Sequence, residues 1–184
     1  MSKEKRTKDT ITLGSGDLYI KEFDGNIPND EDLETEANRY GYIKGGATAE
    51  YTPESYTAED DSGQVKKTII TKEEVKFKTG LITWNAETLK RLISTGRITT
   101  TAGKRILKIG GLKNYNNQSY ILRFVHKDEV DGDVRVTIVG KNTAGISLAF
   151  VRDSETTVDT EFTAEPLDKE GTLIIIEEEV AVSA

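Results

Sequence analysis

Apolar and polar residues alternate along most of this chain, the period of two that marks half-buried β-strands. Residues 17–23 form the first such segment, between the turn formers at 14–16 and 24–26. Residues 40–51 form a second, lightened by Gly41, Gly45, Gly46 and Ala47, and glycines inside a strand predict a bulge or a close backbone approach. A polar stretch leads to the turn sequence at 60–63, and a long run over 64–79 follows in which Val75 and Phe77 alternate with Glu74, Lys76 and Lys78. Residues 43–78 therefore read as one extended β-hairpin, anchored at its base and polar at its tip. Isolated two-stranded ribbons are marginal in water, so the tip needs support from elsewhere, and a second subunit is the natural source.

The period changes once. Asn85 is an apt N-cap, Ala86, Leu89, Leu92 and Ile93 recur at helical spacing, and Gly96 fits the C′ position, which predicts a helix over 86–95 that lies on a sheet. Glu87 in its first turn and Lys90 and Arg91 later suit the helix dipole. Beyond it, strands are predicted over 105–109, 119–127, 134–138, 146–150, 159–165 and 173–180, with turn signals between them. Tyr120, Leu122, Phe124 and His126 share one face, and the run 173–176, apolar throughout, predicts a central strand covered on both faces. The acidic segment 28–36 is expected to be solvated, as a loop or a short turn of helix capped by Asn29 or Asp30. The expected fold is mainly β: two packed antiparallel sheets, a sandwich or half-barrel, with one flanking α-helix and a long protruding hairpin. No internal repeat or linker divides residues 1–184, so a single domain is expected, with residues 1–10 as a flexible N-terminal arm.

Composition narrows the function. The chain has no cysteine and one histidine, and apolar and charged residues make up 35% and 31% of it, so its surface is densely charged. Disulfide and thiolate chemistry are excluded. A net charge of −7 argues against tight nucleic-acid binding, and no apolar run approaches the length of a membrane span. His126 sits on the apolar face of its strand and reads as a core histidine with one hydrogen bond. Zinc is not expected, for want of His and Cys ligands. The segment 128–133 lacks the full spacing of a helix–loop–helix calcium site and reads as an Asp-rich turn. The glycines at 14 and 16 precede a strand, which removes the helix N-terminus that a phosphate loop needs. Trp84, the only tryptophan, reads as packing at a strand-to-helix corner. No catalytic, cofactor or metal site is expected, and the chain is not expected to be an enzyme.

The order of four segments, 11–20, 45–54, 79–85 with its helix and 162–173, resembles the major tail tube proteins of long-tailed bacteriophages, whose fold is related to type VI secretion tube proteins. The resemblance spans nearly the whole chain. It implies hexameric rings whose sheets join into an inner barrel, stacked into a hollow tube that delivers DNA, in a virion tail made in the bacterial cytoplasm. Partners implied are the chain itself, a tail tip or baseplate initiator, a tail terminator, a tape measure protein, and double-stranded DNA passing without specific binding. The hairpin would reach the neighbouring ring, which nominates Glu50, Tyr51, Tyr56, Glu59, Asp60, Asp61, Lys66, Lys67 and Lys72 as contact residues. The tube of a phage-derived bacteriocin or other contractile injection system fits equally. A monomeric β-sandwich binding or adhesion module is the alternative of a different class, disfavoured by scarce aromatic residues and the long hairpin.

Overall fold

Strand β1 (Asp17–Glu22) buries Leu18, Tyr19 and Ile20 in the middle of a large antiparallel sheet. The computed structural model describes Arg6 and residues 9–180; the expected arm at 1–10 falls largely outside them, as do residues 181–184 of the chain end. Where Arg6 is described it is docked, its guanidinium donating to Thr12 Oγ1 (2.6 Å) and to the Gly132 carbonyl (3.1 Å).

The remaining strands are β2 (Arg39–Gly41), β3 (Ile43–Glu59), β4 (Lys66–Leu81), β5 (Arg97–Thr101), β6 (Lys104–Lys108), β7 (Tyr120–His126), β8 (Val134–Asn142), β9 (Val158–Glu165) and β10 (Ile174–Glu178). Eight form one sheet in the order β2-β1-β7-β8-β9-β4-β3, with β10 added beside β8, while β5 and β6 pair only with each other. Tyr42 alone separates β2 from β3, and its carbonyl accepts from Ile82 N–H at 2.9 Å, so the first and last strands are one continuous run of chain. The sheet thus closes on itself around the main core, and β10, paired with β8 alone, is left as an open edge beside that closure. The mainly β fold with a flanking helix and a projecting hairpin agrees with the sequence; the second sheet is the small β5–β6 ribbon.

The core lies inside the curled sheet. Leu18, Ile20, Val75, Phe77, Leu81, Tyr120, Leu122, Ile138, Val158 and Phe162 point inward, and Leu89 and Leu92 of the helix α2 (Ala86–Leu92) pack against them. Asn85 caps α2 as its sequence predicts, its Oδ1 accepting from Glu87 N–H (2.8 Å) and Thr88 N–H (3.1 Å). The helix is shorter than expected: Ile93 turns extended at φ −127° and donates to the Lys90 carbonyl, so the chain leaves the helix before Gly96. In a helix this short, the cap satisfies a large share of the free N–H groups. Asn85→Ala is expected to lower stability by about 1 kcal/mol, read by urea unfolding, and an unchanged midpoint would show that the cap contributes nothing.

Three expectations are corrected. Residues 146–150 form no strand: Asn142 Nδ2 donates to the Leu92 and Gly145 carbonyls and draws the chain out of the ladder. Ile146 and Leu148 still pack on the core, so their alternation reflects burial without strand pairing, and Phe150 stays outside against the Trp84 ring. The apolar run 173–176 is not a doubly covered central strand. β10 pairs with β8 alone, and Ile176 is 63% exposed on that open edge.

The third concerns one part of the acidic segment, whose Asp30, Glu31, Asp32 and Glu36 are exposed as expected. Asn29 caps a turn of helix, α1 (Asp30–Leu33), by accepting from Asp32 N–H at 2.8 Å, and Leu33 is buried on the outer side of the sheet with Ile121, Val139 and Leu167. Glu34 is not solvated. Its carboxylate takes two bonds from Arg135, Nε at 2.7 Å and Nη2 at 3.3 Å, and one from Arg123 Nη1 at 3.1 Å. Asp30 accepts from the same Arg123 nitrogen at 2.5 Å, while Glu177 and Glu179 of the C-terminal segment lie 3.5 Å from Arg123 and 3.3 Å from Arg135. The bond to Glu34 holds the Arg135 guanidinium above its ordinary pKa. This cluster ties α1, β7, β8 and β10 together.

Candidate functional site

Among the described residues, the hairpin of β3 and β4 is the long element that leaves the body of the protein. Its base belongs to the core, because Phe77 pairs with Phe162 of β9 and with Ala49 of β3. Gly45 and Gly46, at φ +81° and +78°, make the bulge that their sequence predicts, a conformation that a side chain would strain. A second irregularity falls between Glu54 and Ser55, where Thr71 is the extra residue and its hydroxyl donates to the Glu54 carbonyl. From Thr48 to Glu73 every residue is exposed. β9 stops pairing with β4 at Lys76, so the outer part of the ribbon has neither a third strand nor a packed face.

Ion pairs hold the ribbon's outer face together. Lys78 meets Glu50 at 2.7 Å, Lys72 meets Glu54 at 3.1 Å, and Lys66 meets Glu59 at 3.3 Å, each pair directly opposite or one step diagonal across the strands. Lys76 and Lys78 also share Glu161 of β9, at 3.2 and 3.7 Å. Bonds to these carboxylates raise the pKa of Lys72, Lys76 and Lys78. Tyr51 donates its hydroxyl to Glu73 at 2.7 Å, which raises the phenol's pKa as well. The alternating charges of the hairpin thus form a salt-bridged face.

Asp60 builds the turn. Its Oδ1 accepts from Val65 N–H at 2.7 Å, and its Oδ2 accepts from the Ser62 hydroxyl and from Ser62 N–H at 3.2 Å. The Ser62 hydroxyl bond and then the Val65 N–H lower its pKa to about 2.

Of the nine nominated residues, Glu50, Glu59, Lys66 and Lys72 face partners within the hairpin, Tyr51 is bonded to Glu73 and Asp60 closes the turn. Tyr56, Asp61 and Lys67 are left pointing outward, Tyr56 opposite Ile69 and Lys67 opposite Ala58. The sequence reading missed the apolar side chains beside them: Val65, Ile69 and Ile70 are exposed at 71%, 49% and 61%. They had a signal, since three β-branched apolar residues in a run otherwise polar are out of place on a solvated tip. Most of the ribbon's charges are therefore paired internally, Asp61 and Lys67 excepted, while its apolar groups stay exposed.

His126 matches its expected role, its ring buried and its Nδ1 2.8 Å from the Ser15 carbonyl. Trp84 packs at the strand-to-helix corner and donates Nε1–H to Thr156 O at 3.2 Å. The 128–133 segment is a turn in which Asp128 accepts from Val130 and Asp131 N–H, which lowers its pKa. Among the described residues no group of His, Asp and Glu side chains is arranged to hold a metal ion, and no helix is long and apolar enough to cross a membrane. No protein-family model matches the chain, and no curated protein matches it.

Proposed function

We propose that this chain is a structural subunit that assembles with copies of itself through its hairpin, as the tube protein of a phage tail or of a related injection machine. The observation that carries the reading is the hairpin's state: a ribbon with most of its charges paired internally and Tyr56, Val65, Ile69 and Ile70 exposed. Exposed β-branched and aromatic side chains on a bare two-stranded ribbon are costly to keep in water, and a second subunit removes that cost. The closed sheet below supplies a rigid base from which the ribbon can reach across a subunit boundary. In this reading the rings are hexamers stacked into a hollow tube in the virion tail. Initiator, terminator and tape measure proteins are its further partners, DNA passes through without specific contact, and no catalysis is involved.

The test is a hairpin shortened by deletion of 56–67. Ser55 stays opposite Ile70, and Thr68→Asn with Ile69→Gly supplies a two-residue connection suited to a hairpin. The shortened protein is expected to keep its far-UV spectrum and its cooperative unfolding while remaining monomeric across a concentration series in which the full chain forms rings or tubes by negative-stain electron microscopy. Normal tubes from the shortened protein would remove the hairpin from the assembly.

A further inference from the structure

Between Glu87 and Asp128 the chain contains no acidic residue, although the whole has 32 Asp and Glu against 25 Lys and Arg. This stretch builds the β5–β6 ribbon and the turn that follows it, where Arg97, Lys104, Arg105, Lys108 and Lys113 are exposed. Among the described residues, none of the five has a carboxylate partner; Arg97 donates instead to the Gly110 carbonyl at 3.0 Å. Ile106, Ile109, Leu112 and Tyr115 stand exposed among them, Leu112 at 93%. Apolar anchors inside a charged rim are the anatomy of a protein interface, whereas a phosphate backbone asks only for the charges.

The ribbon also has an open edge, because β6 pairs with β5 alone. Another open edge with an apolar centre is β10, paired with β8 alone and showing Ile176, Glu177 and Glu178. These two edges fit each other and not themselves. β6 against β6 sets cations opposite cations, and β10 against β10 gathers carboxylates, both unfavourable.

We propose that β6 of one copy adds antiparallel to the β10 edge of a second copy, with Ile106 opposite Ile176. In that register Lys104 faces Glu178 and Arg105 faces Glu177, so each cation of the strand's first half meets a carboxylate. Leu107 then falls opposite Ile175, and both are side chains that already lean on the core of their own subunit. The contact uses different patches on the two copies, so every copy has one of each to offer. Such heterologous pairing builds closed rings or open filaments. The inference rests on the self-assembly reading and adds to it the lateral surface, which the hairpin does not provide.

The absence of cysteine allows a direct test. Ile106→Cys and Ile176→Cys are made separately, mixed under assembling conditions and treated with a short bis-maleimide. A 106–176 heterodimer is expected, well above the yield when Val151→Cys, an exposed loop position, replaces Ile106→Cys. Lys104→Glu and Glu178→Lys are each expected to raise the concentration needed for assembly by about fivefold, and the double variant to restore it. If the unaltered chain assembles but no 106–176 product forms above the control, this pairing is wrong and self-assembly stands. If the unaltered chain stays monomeric at every concentration, both fall. If Lys104→Glu leaves assembly untouched and instead abolishes retention on duplex DNA, the ribbon is a polyanion site and the pairing is wrong.

Discussion

Phe162→Ala is expected to be among the most damaging single substitutions in this protein, lowering stability by about 3–5 kcal/mol. Phe162 is fully buried on β9, where it pairs with Phe77 of β4 and Asn142 of β8 and so lies where three strands of the closed sheet meet. Its ring meets Tyr40 edge-on at 6.4 Å, and the Tyr40 hydroxyl donates to the Thr88 carbonyl of α2 at 3.2 Å. Truncation removes the contacts that seat both the sheet closure and the helix, and strands held in a closed ladder have little freedom to collapse into the void. For a chain of this length the loss corresponds to a fall in Tm of roughly 6–20 °C, measured by differential scanning calorimetry. Phe150→Ala is the contrasting variant: Phe150 is 74% exposed on the 143–157 loop, and its loss is expected to stay within about 0.5 kcal/mol. A drop below about 1 kcal/mol for Phe162→Ala would mean that the closed sheet is not the main source of stability.

Much of this architecture was legible because the residues that build it obey a local rule. Val75, Phe77, Thr79 and Leu81 alternate with Lys76, Lys78 and Gly80, and the alternation alone fixes which face of β4 is inside. Asn85 announces the start of α2, and Gly45 and Gly46 announce a bulge. What escaped reading depends on which strands become neighbours. Ile146 and Leu148 keep a strand's alternation, but pairing needs a partner edge, and β8 already has β9 and β10 along that side. The run 173–176 has the composition of a buried strand and lies on an edge, which only assembly or a neighbouring chain could cover. The candidate site was half legible: length and turn chemistry give the hairpin, whereas the cross-strand register that pairs Glu50, Glu54 and Glu59 with lysines becomes visible only once the bulge near Thr71 is placed. Arg123 had a faint signal. It stands between Ile121 and Val125 in a strand apolar on both faces, where a lone charge has to find a partner within the protein.

Glu34→Ala tests that partner, and it is expected to lower stability toward the lower end of the 3–5 kcal/mol range typical of breaking a buried ion pair, about 3 kcal/mol. The Arg123 and Arg135 side chains are only 3% and 14% exposed; Glu34 hydrogen-bonds to both, whereas Asp30, at 2.5 Å from Arg123, lies 3.5 Å from Arg135. Without it two nearly buried guanidinium groups remain close together. Asp30, Asp133, Glu177 and Glu179 still oppose them, but Asp30 and Glu177 are about half exposed and compete with water, and Asp133 lies 3.7 Å from Arg135. That residual pairing is why the loss falls at the low end. Because the cluster is screened little by salt, the effect is expected to persist at high ionic strength, unlike that of removing the exposed Glu54 opposite Lys72. Glu34→Gln keeps the acceptor oxygen and is expected to lose less. Pairing Glu34→Ala with Arg135→Met removes the stranded charge together with its counter-charge, so the double variant is expected to lose less than the sum of the two single changes, by about 0.5–3 kcal/mol. Additive losses in urea unfolding would show that the two residues act independently. The α1 turn would then be held on the sheet by Leu33 and by the bond of Asp30 to Arg123, with no contribution from the Glu34–Arg135 pair.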